Sequence, residues 1–333
     1  MWAYRLVAPG VFEVVEVPAP ASESLEPDAV VLRTLAGGIC GSDIPKLIGR
    51  TGSRADEFGR LCPGRPGFPM HEVVGEVLAS RHPGIRVGAR VVGWASRSDA
   101  LAECVITDGN QVHVYSTSLS PVDAVLIQPL ACVLEALDRV AVADRVVGVI
   151  GLGPIGLLFA HVAKSRGARR VVGVDPVDRG WMAAKVGIDD LVTAPSRTWA
   201  RAVVDANRPA VVIEAVGHQV STLDDAIAAV AVAGSVLYFG IPDDEYYPLN
   251  MERLLRKNLG LFAGVTRERH HALARADDYL AQYPELNGAL VSHRFDIDSV
   301  QRAYDTAATT DTDRLKVVLS HARDCVVTPR VNV

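Results

Sequence analysis

The chain is short of the features that mark several whole classes of protein. Its 333 residues include five cysteines, at 40, 62, 104, 132 and 325, an odd and scattered set. That excludes the even spacing of a disulfide-stapled domain, so each cysteine is read as a thiol, a ligand or a core residue. Only 5 of the 34 basic residues are lysine, and no basic run exceeds two residues. Acidic residues number 39, for a formal net charge of −5. This argues against nucleic acid or an anionic membrane as the main partner. The first ten residues lack the charged-then-apolar pattern of a secretory signal, so a cytoplasmic location is expected. One long apolar run exists, 146–163, but four glycines and Pro154 interrupt it. That punctuation suits a strand, a turn and a helix better than a membrane span. No internal repeat or low-complexity segment is seen. The rest is ordinary globular composition, 49% apolar and 22% charged, at a length that suggests two domains.

The chain is organised around residues 146–175. Val146-Val147-Gly148-Val149-Ile150 is a short β-branched run, and Gly151-Leu152-Gly153-Pro154-Ile155-Gly156 follows at once. Leu157 to Ser165 reads as a helix, Val171 to Val174 as a second buried strand, and Asp175 closes it, 19 residues after Gly156. In such a unit Gly151 makes the tight turn, Gly153 lets the backbone approach a pyrophosphate, and Gly156 lets helix and strand pack. The helix N-terminus offers unpaired N–H groups to the phosphates, and Pro154 and Ile155 beside it join the expected cofactor-binding set. A carboxylate at Asp175 accepts hydrogen bonds from ribose hydroxyls and repels a 2′-phosphate, so NAD is expected rather than NADP. Arg179 lies close by and could instead meet a phosphate. A glycine-rich turn in some other α/β protein is the bland alternative.

Before this unit the chain reads as β-rich. Val11–Val17, Ala29–Ala36, Glu72–Leu78, Ala89–Trp94 and Ala102–Thr107 are short apolar or alternating runs separated by Pro, Gly and Asp clusters, the pattern of a compact barrel-like domain. The stretch Ile48–Pro69 reads as a long exposed loop, whose Arg54, Asp56, Glu57 and Arg60 form a solvated face or a polar rim for substrate. Pro121–Val142 reads as a helix leading into the second domain. Beyond Asp175, helices at Arg179–Val186 and Thr222–Val232 alternate with strands at Ala210–Glu214 and Ser235–Phe239, a doubly wound parallel sheet. The turns after those strands, containing Val216 and Gly240, join the expected cofactor-binding set. Ser235–Phe239 is expected at the sheet edge, where an exposed apolar strand invites pairing. The chain then reads as helix (Arg267–Gln282), strand (Ala289–Ser292), helix (Ile297–Ala307), strand (Leu315–Ser320) and a short polar tail from Asp324.

A second constellation lies upstream: Gly38-Ile39-Cys40-Gly41-Ser42-Asp43, then Pro69-Met70-His71-Glu72. Thiolate, imidazole and carboxylate with one open position is the pattern of catalytic zinc. Taken singly, a buried Cys and a satisfied core His would be the better reading of each. His270, His271 and His293 read as surface or packing residues, His293 being the one that could reach a substrate.

Taken in order, GICGSD at 38–43, HEVVGEV at 71–77, VGARVVG at 87–93, QPLACVLEAL at 128–137, GLGPIG at 151–156, VIEAVGH at 212–218 and LKVVL at 315–319 resemble the medium-chain dehydrogenase/reductase family, in its zinc-dependent alcohol and polyol branch. The resemblance implies an α/β protein with a GroES-like catalytic domain, 1–122 and 263–333, and a Rossmann NAD-binding domain at 123–262. It implies one zinc held by Cys40, His71 and Glu72, with Asp43 orienting the histidine. It makes Ser42 the hydroxyl that takes the substrate proton, and sets Cys132 and Ile155 against the nicotinamide. Four departures stand out. Gln128 occupies a ligand position usually held by Cys or Glu, so it is expected beside the metal rather than on it. Pro45 replaces a relay histidine, and Met70 a glycine. Between Trp94 and His113 only Cys104 occurs, so no structural zinc is expected.

The expected reaction is NAD-dependent oxidation of a secondary alcohol, a polyol, sugar or cyclitol, to a ketone, with zinc as Lewis acid and nicotinamide as hydride acceptor. The alternatives are a zinc-free NAD(P)H-dependent reductase of the same superfamily, with Gln128 marking a decayed metal site, and a non-catalytic nucleotide-binding protein. The expected partners are a small-molecule substrate and further copies of the chain, as a homodimer or homotetramer.

Overall fold

The computed structural model describes residues 1–21, 25–49, 64–116, 118–242 and 244–321. The part of the Ile48–Pro69 loop that carries Arg54, Asp56, Glu57 and Arg60 lies outside the described residues, as do Cys62, Cys325 and the tail from Asp324.

The first half builds seven strands: β1 (Trp2–Ala8), β2 (Val11–Glu16), β3 (Ala29–Ile39), β4 (Glu72–Ser80), β5 (Arg90–Trp94), β6 (Cys104–Asp108) and β7 (Val112–Val114). The parallel sheet follows as β8 (Val146–Ile150), β9 (Arg170–Asp175), β10 (Asp190–Thr193), β11 (Val211–Glu214), β12 (Ser235–Tyr238) and β13 (Gly260–Phe262). Two strands close the chain, β14 (Val291–Asp296) and β15 (Lys316–Ser320). They pair back onto the first half in a mixed sheet of order β14-β15-β3-β4-β5-β7, with β6 on β3. β3 is the axis of that sheet, nearly continuously buried because it is paired on both sides. Gly38 sits one residue from its carboxyl end, opposite Glu72 on β4 and Val318 on β15.

The parallel sheet has the order β10-β9-β8-β11-β12-β13. The strand order reverses between β8 and β11, which opens a crevice at their carboxyl ends. There Gly151 takes φ +89, and a Cβ on Gly156 would run into the Gly151 carbonyl. The helix Pro154–Ser165 starts with Gly153 as N-cap and proline in its first turn, where a missing N–H is harmless. Helices Ile127–Leu137, Pro154–Ser165 and Arg269–Gln282 share the largest apolar core, against β8 and β11. No helix among the described residues is long and apolar enough to cross a membrane.

Three expectations change. The helix expected over Pro121–Val142 is two helices, Pro121–Ala124 and Ile127–Leu137. Pro129 cannot donate to a preceding turn, so it is accommodated in the first turn of a new helix. The helix at Arg179–Val186 contracts to Gly180–Ala183, with a glycine at its start. The edge of the parallel sheet is not Ser235–Phe239: β13 pairs parallel to β12 and covers it. A three-residue strand carrying a glycine is too short to show an apolar period, so it escaped notice.

Candidate active site

Cys40 follows β3 directly, and His71 precedes Glu72, the first residue of β4, so the antiparallel pairing of these strands brings the three together. Their ligand atoms all lie within 4.8 Å of one another. Asp43, wholly buried, ties two of them in place. Its Oδ1 lies 3.0 Å from His71 Nδ1, and its Oδ2 accepts the Cys40 backbone N–H at 3.0 Å. Ser42 precedes the short helix Asp43–Leu47 and makes no capping bond with its hydroxyl. Burial raises the Cys40 thiol, yet the hydrogen bond and charge of His71, with Lys316, more than offset it and the net shift is downward. Burial likewise works against His71, but the charge and hydrogen bond of Asp43, with Cys40, carry it up to about 10. The cluster thus favours the ionised thiol and carboxylate, the kind of site a cation enters by displacing protons.

One member was missed in the sequence. Lys316, at the start of β15, donates from Nζ to Glu72 Oε1 at 2.5 Å, and the two side chains are only 4% and 1% exposed. The pair meets over Gly38: a Cβ there would strike Glu72 Oε2 and come within 2.8 Å of Lys316 Cε. The available signal was a lysine at the head of the apolar run Val317-Val318-Leu319, since a buried ammonium demands a partner.

The donor set suits zinc. Sulfur, imidazole nitrogen and carboxylate oxygen are its usual ligands, Asp43 holds His71 Nδ1 and leaves the other nitrogen for a metal, and Glu72 Oε2 is buried with no hydrogen-bond partner in the protein. Cys132 approaches the same cluster from the helix Ile127–Leu137. Burial pushes its thiol up to about 12, against a hydrogen bond from Thr266 and with added repulsion from Cys40 and Glu72. Gln128 is buried, and its Nε2 points to Cys132 Sγ at 3.7 Å. His293 does not join the cluster: it lies on the edge strand β14, bonded to Ser292 Oγ at 2.8 Å.

The residues expected to hold the nucleotide gather at the carboxyl ends of β8, β9, β11 and β12. Asp175 Oδ2 accepts the Leu152 N–H at 2.6 Å and Oδ1 the Val177 N–H at 2.8 Å, which fixes the carboxylate beside the glycine turn. Arg179 is buried, and its guanidinium donates to the Thr312 carbonyl, a bond that ties down the loop before β15. The turns holding Val216 and Gly240 pack together. The His218 N–H donates to Ile241 O at 2.9 Å, and a Cβ on Gly240 would strike the Gly217 backbone. Ile155, in the first turn of its helix, is partly buried against the main core.

Residues 154–281 match the family model described as zinc-binding dehydrogenase. Among curated proteins, the chain is 27% identical over 257 residues to L-threonine 3-dehydrogenase of Pyrococcus horikoshii, covering 69% of this chain and 72% of that protein. It is 28% identical over 343 residues to D-altritol 5-dehydrogenase of Agrobacterium fabrum, covering 90% and 94%. Among solved structures, an alcohol dehydrogenase from Thermus sp. ATN1 superposes with a TM-score of 0.78 over 96% of this chain and 99% of its own, at 23% identity.

Proposed function

We propose, from the chain's similarity to zinc-binding dehydrogenases, that it oxidises a secondary carbinol of a polyol, sugar or cyclitol to a ketone with NAD and one zinc. The observation that carries this reading is the convergence of a thiol, an imidazole and a carboxylate within 4.8 Å. The relatives named sorbitol, D-arabinitol and D-altritol dehydrogenases support the substrate class.

Cys40, His71 and Glu72 would hold the zinc, which supplies Lewis acidity at the substrate oxygen, as the nicotinamide supplies a hydride acceptor. The chain's own residues do the rest. Asp43 orients His71 and stiffens the turn at Cys40. Ser42 Oγ takes the carbinol proton and passes it toward the cofactor ribose or to water, since Pro45 fills the usual place of a relay histidine. Lys316 offsets Glu72, and with it the formal charges of Asp43, Cys40, Glu72, Lys316 and a dication sum to zero, as a water-poor site requires. Gln128 is an amide neighbour of the cluster rather than a ligand. Gly151, Gly153, Pro154 and Gly156 would cradle the pyrophosphate. Asp175 would select NAD, because its carboxylate, fixed at the end of β9 by two backbone N–H groups, would accept ribose hydroxyls and repel a 2′-phosphate, while Arg179 is committed to Thr312. Cys132 and Ile155 would stand against the nicotinamide, with the turns of Val216 and Gly240 completing the cofactor site.

We assign 1–122 and 263–333 to the catalytic domain and 123–262 to the nucleotide domain, supported by the pairing of β15 with β3. A cytoplasmic location and no structural zinc belong to the same reading. The test is NADH formation across a panel of alcohols, with zinc counted in the same preparation. Turnover with about one zinc per chain supports the proposal. Turnover by metal-free protein favours the zinc-free reductase, and no turnover on any alcohol favours a nucleotide-binding protein.

A further inference from the structure

Glu72 and Trp94 face each other across β4 and β5. Directly opposed residues project to the same side of a sheet, so Trp94 shares the face of the sheet that carries Glu72 of the candidate metal cluster. Trp94 is 8% exposed. Over its ring lies Arg269, with the guanidinium carbon 5.1 Å from the ring centroid, and Arg269 Nη1 donates to Gln111 Oε1. The Arg269 charge is also felt at the Cys132 thiol, itself beside Cys40 and Glu72. The strand pairing and the ring stack therefore set this cation on the side of the sheet that carries the cluster.

Its surroundings do not satisfy it. Arg139, Arg166, Arg275 and Arg294 each pair with a carboxylate. Among the described residues no carboxylate pairs with Arg269. Glu72 is no candidate, because Lys316 already neutralises it. A guanidinium has five N–H donors, and Gln111 takes one. Stacking on tryptophan and a single amide bond hold the side chain in place without discharging it. A planar fork fixed in this way is matched by a carboxylate or a phosphate, which accept two parallel hydrogen bonds, and poorly by a neutral hydroxyl.

We propose that Arg269, held on Trp94 by Gln111, forms an anion subsite in the substrate cleft, and that the substrate is a polyol carrying a carboxylate or a phosphate monoester at the end remote from the reacting carbinol. This rests on the dehydrogenase reading, which leaves the charge of the polyol open. Carboxylate and phosphate share the chemistry that Arg269 recognises, and the experiment separates them.

The test uses a six-carbon series, sorbitol, gluconate and sorbitol 6-phosphate, with wild-type protein and Arg269→Gln. Binding to the NADH complex is measured by calorimetry, and kcat/KM is measured in parallel. One of the two anions should exceed sorbitol by about tenfold or more in affinity, mainly through KM, and which one does so identifies the headgroup. Arg269→Gln should collapse that ratio to about one. Arg269→Lys, which keeps the charge and loses the fork, should restore part of it. An NADH titration on each variant checks that the cofactor site is intact. Equal binding of all three compounds to wild type overturns the proposal, and so does a preference that survives in Arg269→Gln. Anion binding that depends on Arg269 without turnover of any compound would keep the subsite and sink the dehydrogenase reading.

Discussion

Lys316→Met removes one charge from the centre of the catalytic half while keeping the length of the side chain. In the metal-free protein it strips Glu72 of its partner at 2.5 Å, in a place where both side chains are at most 4% exposed. Breaking a buried ion pair from one side costs about 3–5 kcal/mol, because the surviving charge stays out of water without compensation. At about 2–4 °C per kcal/mol, the melting temperature should fall by roughly 6–20 °C. The loss belongs to Glu72 rather than to the methionine, so Glu72→Gln added to Lys316→Met should recover a large part of it. The two costs are then far from additive, with a coupling energy of at least about 1 kcal/mol. Zinc gives a second reading. A Glu72 released from Lys316 has both oxygens free for a cation, so added zinc should raise the melting temperature of Lys316→Met more than that of wild type. The assay is calorimetric melting of the four proteins of the cycle, with chelator and with zinc. A fall of less than about 2 °C, or a double variant no more stable than the sum of the singles predicts, would refute the argument that Glu72 needs Lys316.

Other consequences are as direct. Elemental analysis should find one zinc per chain, and Glu72→Gln should lose metal and activity together while Gln128→Ala keeps most of its metal. Gly38→Ala should behave like Glu72→Gln in metal content, because the new methyl occupies the space where Glu72 and Lys316 meet; normal zinc content in that variant would show that the pair can shift. Asp175→Ala should weaken NADH binding and narrow the gap to NADPH by about tenfold or more, whereas tighter binding of NADPH by wild type would contradict the assignment. Burial lifts the Asp99 carboxyl to about 6, although Arg65 and Arg97 pull it down. Its folded value lies above the unfolded one, so the stability it contributes is intact below about pH 4 and is lost as pH rises through about 6. Asp99→Asn should therefore raise the melting temperature at pH 7.5 and not at pH 4, and an equal shift at both would count against that origin. Light scattering at micromolar protein should give the mass of a dimer or a dimer of dimers, formed through the β13 edge, where Leu261 is 40% exposed beside the exposed Met251 and Leu255; a monomer mass would contradict it.

What the order of residues determines by itself is local. A β-branched run, three spaced glycines and an acid 19 residues on specify a strand, a turn, a helix and a second strand, because each step is a short-range steric or hydrogen-bonding requirement. The pairing of β3 with β4 was nearly legible too, since Cys40 and His71-Glu72 stand at the facing ends of two recognisable apolar runs, and Asp43 reaches Cys40 from three residues away and His71 from 28. What only the tertiary structure decided involves partners brought from far along the chain. Lys316 lies 244 residues from Glu72, and no local pattern states that β15 will lie against β3 and carry an ammonium to the metal cluster. Arg269 and Gln111 are 158 residues apart, and their meeting depends on how the helix Arg269–Gln282 settles over β5 and β7. β13, three residues long, has no periodicity of its own and is a strand only because β12 offers it an edge. Charges in apolar surroundings are the common thread. The sequence can show that Lys316 must find a counter-charge, but which carboxylate it finds is set by the strand order, because the energy of a buried pair depends on a separation of a few ångströms that only the packed fold defines.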